Sequence, residues 1–211
     1  QYKYRDLIML NVLIRDHDAL YMSSLKLFLS ELFLSNYNRG VHFLPVFDVE
    51  NVSKADVIII GFGPGEFYTC TPELRFRKKS IIIGIVDHEK EMPGVIKTCT
   101  HDVVFIRRDL SLKDLQRKII SLWNQSYKYS GIDACRSCCV NKCNVLSLQQ
   151  MRIMSRLSRG QAISDIAREL SISNKTVYSQ KHLVMNKYQL SSNFELLMFL
   201  ENLQGKNRMD N

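Results

Sequence analysis

Residues 162–181 read AISDIARELSISNKTVYSQK. Two helix-like stretches flank Ser171-Ile172-Ser173-Asn174, and Ile166, Ala167, Leu170, Ile172 and Val177 fall where one small core would bury them. A residue as small as Ala167 lets two helices cross closely, and the second then stands clear of the body. That is the requirement of a helix-turn-helix whose second helix enters the major groove of DNA. Lys175, Thr176, Tyr178, Ser179, Lys181 and His182 project from that helix and Lys187 lies at its end, all offering groups to phosphates and base edges. Ser173 or Asn174 is placed to cap it by accepting orphan amide hydrogens. The competing reading is a small helical bundle with a solvated basic face.

The surroundings extend the pattern. From Leu146 onward no strand-like run occurs, and helical segments are expected at Leu148–Leu157, Ala162–Leu170, Lys175–Tyr188 and Asn193–Leu203. The N-terminal half instead alternates β-branched runs, Leu10–Ile14, Val41–Phe47, Val57–Ile60, Ile81–Val86 and Val103–Ile106, with helical stretches at Ala19–Leu34 and Leu112–Trp123. Short strands separated by helices imply a doubly wound, five-stranded parallel sheet of the flavodoxin-like kind, with its sites at the carboxyl ends of the strands. The chain therefore divides into an α/β domain over residues 1–125, a polar linker over 126–144 and an all-α, four-helix domain over 145–211.

Charge agrees with the helical reading. The 211 residues carry a formal charge of +8, and nine basic against five acidic residues leave +4 of it on residues 145–211. Such an excess favours a polyanionic partner. The apolar runs are far too short to cross a bilayer, no secretion signal is evident and no nucleophile stands beside a matching base. A cytoplasmic, non-enzymatic protein that does not bind membranes is expected.

Leu146-Ser147, Gln150, Ile153-Met154, Gly160, Ile163-Ser164, Asp165-Ile166-Ala167, Leu170, Ser173, Thr176-Val177, Lys187 and Glu195-Leu196 resemble, in order and spacing, the LuxR/FixJ-type DNA-binding domain. The run Lys175–Lys181 looks closest to the Rcs-type capsule and fimbrial regulators. Gln150 stands where the family usually has Glu, Gln180 where it has His, and Tyr188 where it has Leu. The resemblance implies a sequence-specific transcription regulator that binds double-stranded DNA as a homodimer or as a heterodimer with a related response regulator. In this family the fourth helix commonly pairs two subunits.

A DNA-binding domain of this type makes a receiver the expected N-terminal partner. Receiver chemistry needs two acidic residues after strand one to hold Mg²⁺, an Asp after strand three to accept the phosphoryl group, a Ser or Thr after strand four and a Lys after strand five. Here Asp16 matches the first acidic position and His17 the second, with Asp18 one place late. The acceptor position falls on Ile60 or Gly61, strand four ends without a hydroxyl, and Arg107-Arg108 replaces the lysine. Four of these five positions depart from the pattern, so a pseudo-receiver without aspartyl phosphorylation is expected.

Two other features keep alternatives open. Gly61-Phe62-Gly63-Pro64-Gly65 resembles the start of a dinucleotide-binding loop, but its third glycine comes too early and Pro64 removes an amide hydrogen. In the linker, Cys135, Cys138, Cys139 and Cys143 have a spacing that can surround Zn²⁺ or an iron-sulfur centre, and a metal- or redox-sensing regulator is the corresponding alternative. Otherwise no cofactor is expected.

Overall fold

The structure is a computed structural model and describes residues 8–87, 102–126 and 146–209. The chain forms two compact units, one of Gln1–Phe62 with Thr71–Cys139 and the other of Gly63–Cys70 with Val140–Asn211. The eight residues after Phe62, read from sequence as part of the α/β half, thus group with the second unit.

The first unit holds β1 (Met9–Arg15), α1 (Ala19–Tyr37), β2 (Gly40–Leu44), α2 (Val49–Lys54), β3 (Val57–Gly61), β4 (Ile81–Val86), β5 (Val104–Arg107) and α3 (Leu112–Ser126). All neighbouring strands are parallel and lie in the order β2-β1-β3-β4-β5. This is the flavodoxin-like order, whose topological switch point lies between β1 and β3. The strands Val57–Gly61 and Ile81–Val86 are buried at every residue, as a parallel sheet covered on both faces requires. Expected to run to Phe47, β2 stops at Leu44 because Pro45 has no amide hydrogen for the ladder. Among the described residues the β3-to-β4 connection contains 3₁₀ turns at Glu66–Tyr68 and Pro72–Phe76 and no α-helix.

Capping sets the limits of α1. The Asp18 carboxylate accepts from the Tyr21 amide at its start, and Asn38, at φ 52°, ends it in the left-handed conformation. Its inner face, Leu25, Leu29, Leu32 and Phe33, packs into a core with Val12, Ile59, Ile83, Ile106 and Trp123. The Phe33 and Trp123 rings meet edge to face at 5.2 Å.

The second unit contains α4 (Leu148–Leu157), α5 (Ile163–Glu169), α6 (Asn174–Lys187) and α7 (Asn193–Met209). Ser147 and Gln150 form a reciprocal capping box on α4. Ser173, one of the two residues expected to cap α6, does so by accepting from the Thr176 amide. Ile153, Met154, Ile166, Ala167, Val177, Val184, Tyr188, Leu196, Phe199 and Leu200 form the core. Three of them, Ile166, Ala167 and Val177, are apolar positions of the 162–181 stretch.

Candidate nucleic-acid interface and strand-end cluster

Periodicity decides which α6 side chains face outward. Lys175, Tyr178, Ser179 and His182 are exposed and follow one another at the three-and-four spacing of a single helical face. Tyr178 is 51% exposed, and the core positions Val177 and Val184 lie on the opposite side. Lys181 flanks the row and is half-buried. Among the described residues the ion pairs of this unit are Arg156–Glu169 and Arg168–Asp165, and neither uses Lys175 or Lys181. The other two sequence candidates stand apart from the row. The Thr176 hydroxyl is 2.9 Å from the Ser173 hydroxyl and belongs to the cap, while the Lys187 ammonium lies 5.6 Å from the Tyr188 ring centroid.

The two glutamines that depart from the family pattern bond to each other. Gln150 Nε2 donates to Gln180 Oε1 at 3.2 Å, tying α4 to α6. Glutamate at 150 would present only acceptors to that oxygen, so the amide at one position explains the amide at the other. The positions are 30 residues apart, and spacing alone did not reveal the pair.

At the strand ends of the first unit, the structure separates alternatives that the sequence left open. Gly61 faces Asp16, whereas Ile60 is fully buried one residue earlier and points to the other side of the sheet. Of the two candidates for the acceptor position, Gly61 is thus the one that opens toward Asp16. Arg107 is turned outward and pairs with Asp109. It is Arg108 that turns inward: its Nη2 donates to Asp16 Oδ2 at 2.9 Å and Oδ1 at 3.3 Å, and its Nε donates to Asp87 at 2.6 Å. Burial opposes the Arg108 charge, but the hydrogen bonds to Asp16 and Asp87 outweigh it and raise its pKa.

The residues do not fit the Mg²⁺ that a receiver would hold. Both Asp16 oxygens bond to Arg108, and Oδ1 also accepts from the Asp18 amide. The Asp18 carboxylate caps α1, and its pKa is lowered chiefly by the bond from the Tyr21 amide. His17 has a 44% exposed side chain and lies 3.6 Å from Asp16.

Two amides of the glycine loop are also engaged. Phe62 N donates to Ile85 O, and Gly63 N donates at 2.7 Å to Glu66, whose carboxylate would repel an incoming phosphate. Cys135, Cys138, Cys139 and Cys143 lie outside the described residues. Among the described residues no cluster of His, Cys, Asp and Glu could hold a metal ion, and no helix is long and apolar enough to cross a membrane.

Residues 144–200 match the model of a family described as bacterial regulatory proteins, luxR family. The Fimbriae W protein of Salmonella typhimurium strain LT2 is 20% identical over 198 residues, covering 91% of this chain and 95% of that protein. A solved RcsB–DNA complex is 19% identical, covers 93% of this chain and 98% of its own, and has a TM-score of 0.45. Full-length FixJ from B. japonicum is 20% identical, with coverages of 89% and 94% and a TM-score of 0.39. The capped, basic-faced helical unit thus lies within the segment, residues 144–200, that is similar to the luxR family of bacterial regulatory proteins.

Proposed function

We propose that this protein regulates transcription by binding double-stranded DNA as a dimer, without control by aspartyl phosphorylation. The observation that carries the reading is the outward row Lys175, Tyr178, Ser179 and His182 on α6, flanked by Lys181. A helix inserted in the major groove needs such a row of donors on one face, and its lysines supply the salt-dependent attraction to phosphate. One short recognition helix reads only a few base pairs, so two subunits on paired half-sites raise both affinity and specificity.

Two exposed apolar rows support pairing of subunits. Phe194 and Leu197 are 70% and 40% exposed on α7, and Leu20, Leu27 and Leu34 recur every seven residues on the outer face of α1 at 82%, 75% and 52%. A helix apolar on two faces commonly has both covered. A second copy or a related regulator is the partner in this reading. Loss of phosphorylation control follows from Gly61, which has no side chain to accept a phosphoryl group.

The test uses the full chain and a duplex selected from a random-sequence pool. Changing both Lys175→Ala and Lys181→Ala should lower affinity by about 10-fold or more and flatten the dependence of log K on log salt by nearly one for each phosphate the two lysines neutralise. Unchanged affinity with an unchanged salt slope would refute the assignment of α6. Radiolabelled acetyl phosphate should leave the protein unlabelled, and a labelled band would refute phosphorylation-independence.

A further inference from the structure

Arg108 joins groups from three other parts of the first unit. It bonds to Asp16 after β1 and Asp87 after β4, and its guanidinium carbon lies 4.4 Å from the centroid of the Tyr21 ring on α1. The Asp16 side chain is only 2% exposed, that of Arg108 18%. A carboxylate so buried needs a compensating charge and donors. The planar fork of arginine can serve two carboxylates at once, which a lysine ammonium does less well.

Gly61 shows where the Asp16 carboxylate has gone. A Cβ built at residue 61 would lie 2.1 Å from Asp16 Oδ2 and 2.6 Å from Asp16 Cγ. Any side chain there, aspartate included, would collide with a carboxylate that Arg108 holds in place. The acceptor position has therefore been filled from the neighbouring strand, and the space it would need is not vacant.

We infer that Arg108 is a built-in counter-cation that performs the neutralising task of a divalent metal, holds Asp16 in the acceptor's space and closes these strand ends to metal ions. The charge balance of the pocket is then fixed by sequence and independent of cation concentration. It also follows that Gly61→Asp alone cannot restore an acceptor, because Asp16 and Arg108 stand in its way.

The chain's single tryptophan, Trp123, is buried in the first unit, so its fluorescence follows melting of that unit in the full chain. The wild-type midpoint should be the same in EDTA and in millimolar Mg²⁺ or Mn²⁺. Arg108→Met should lower the midpoint in EDTA by about 5–10 °C, since it leaves Asp16 buried without its cation. Either ion should recover part of that loss, and should not do so when Asp16→Asn is added. A wild-type midpoint that climbs with Mg²⁺, an Arg108→Met midpoint equal to wild type, or an Arg108→Met protein indifferent to both ions would each overturn the inference. Should Arg108→Met fail to fold, a cycle of Gly61→Ala with Asp16→Ala decides. Gly61→Ala should lower the midpoint in the wild type and be close to neutral once the Asp16 carboxylate is gone. Equal falls in both backgrounds would overturn the filling of the acceptor's space. No DNA or phosphoryl donor enters these melts, so their failure is distinct from failure of the proposed function.

Discussion

Both units carry basic side chains at a candidate site, and they use them oppositely. In the first unit Arg108 is closed in by Asp16, Asp87 and the Tyr21 ring. In the second, Lys175 and Lys181 on α6 take no part in the ion pairs among the described residues. A cation already matched by internal carboxylates gains nothing from an external anion, whereas one facing water can exchange its counterions for phosphates. The same residue chemistry therefore contributes to stability in one unit and to binding in the other. The difference lies in which carboxylates the fold brings near.

Charge reversal gives the largest effect and separates the two roles. Arg108→Glu would set a third carboxylate against Asp16 and Asp87, and should destabilise the first unit by about 3 kcal/mol or more. Denaturant unfolding followed by Trp123 fluorescence measures it. Lys175→Glu with Lys181→Glu should leave stability within about 0.5 kcal/mol of the wild type while abolishing tight DNA binding. If the α6 reversal destabilised the protein as much as the Arg108 reversal, the contrast between an inward and an outward cation would fail.

A smaller effect probes the helix that carries the outward row. The Ser173 hydroxyl accepts from the Thr176 amide at 3.0 Å, and Ser173→Ala should cost about 1 kcal/mol. Because the cap holds the first turn of α6, where Lys175 sits, DNA affinity should fall with it, and Ser173→Asp should restore stability. Circular dichroism melts beside binding titrations check both. A loss of stability with DNA affinity untouched would show that the first turn does not contact DNA.

Much of this contrast was legible beforehand. The five strands, the helices of the second unit and the Ser173 cap each have a local cause, in β-branched runs, apolar spacing and a hydroxyl at the right place. The choices between Ile60 and Gly61 and between Arg107 and Arg108 had no such cause. Successive strand residues face opposite sides, so an uncertainty of one place exchanges a core residue for a site residue. Asp16 was found as an acidic position, but its turn toward Gly61 depends on an arginine 92 residues away. The Gln150–Gln180 bond was hidden for the same reason: each glutamine reads as a separate departure until the helices are packed. Long-range polar pairs are fixed by tertiary structure, and short windows of sequence carry no record of them.

The smallest effect, negligible at neutral pH, concerns Tyr188, which takes the place of the family's usual leucine. It is 1% exposed, and its ring lies 4.4 Å from that of Phe199. Burial pushes its phenol pKa up to about 12, against an ordinary value of about 10. A raised pKa means that the folded unit keeps the proton after the unfolded chain has released it. The stability gained by keeping the phenol neutral is complete below pH about 10 and is lost progressively as pH rises toward about 12. Denaturant unfolding of the second unit at a series of alkaline pH values should show that decline, and Tyr188→Phe should flatten it. At neutral pH the same substitution should leave DNA affinity and its salt slope unchanged, because the phenol belongs to the core and the outward row does not use it. A Tyr188→Phe protein with the wild-type alkaline decline would assign the titration to another group. One with weakened DNA binding at neutral pH would break the separation between a buried, uncharged interior and the cationic face of α6.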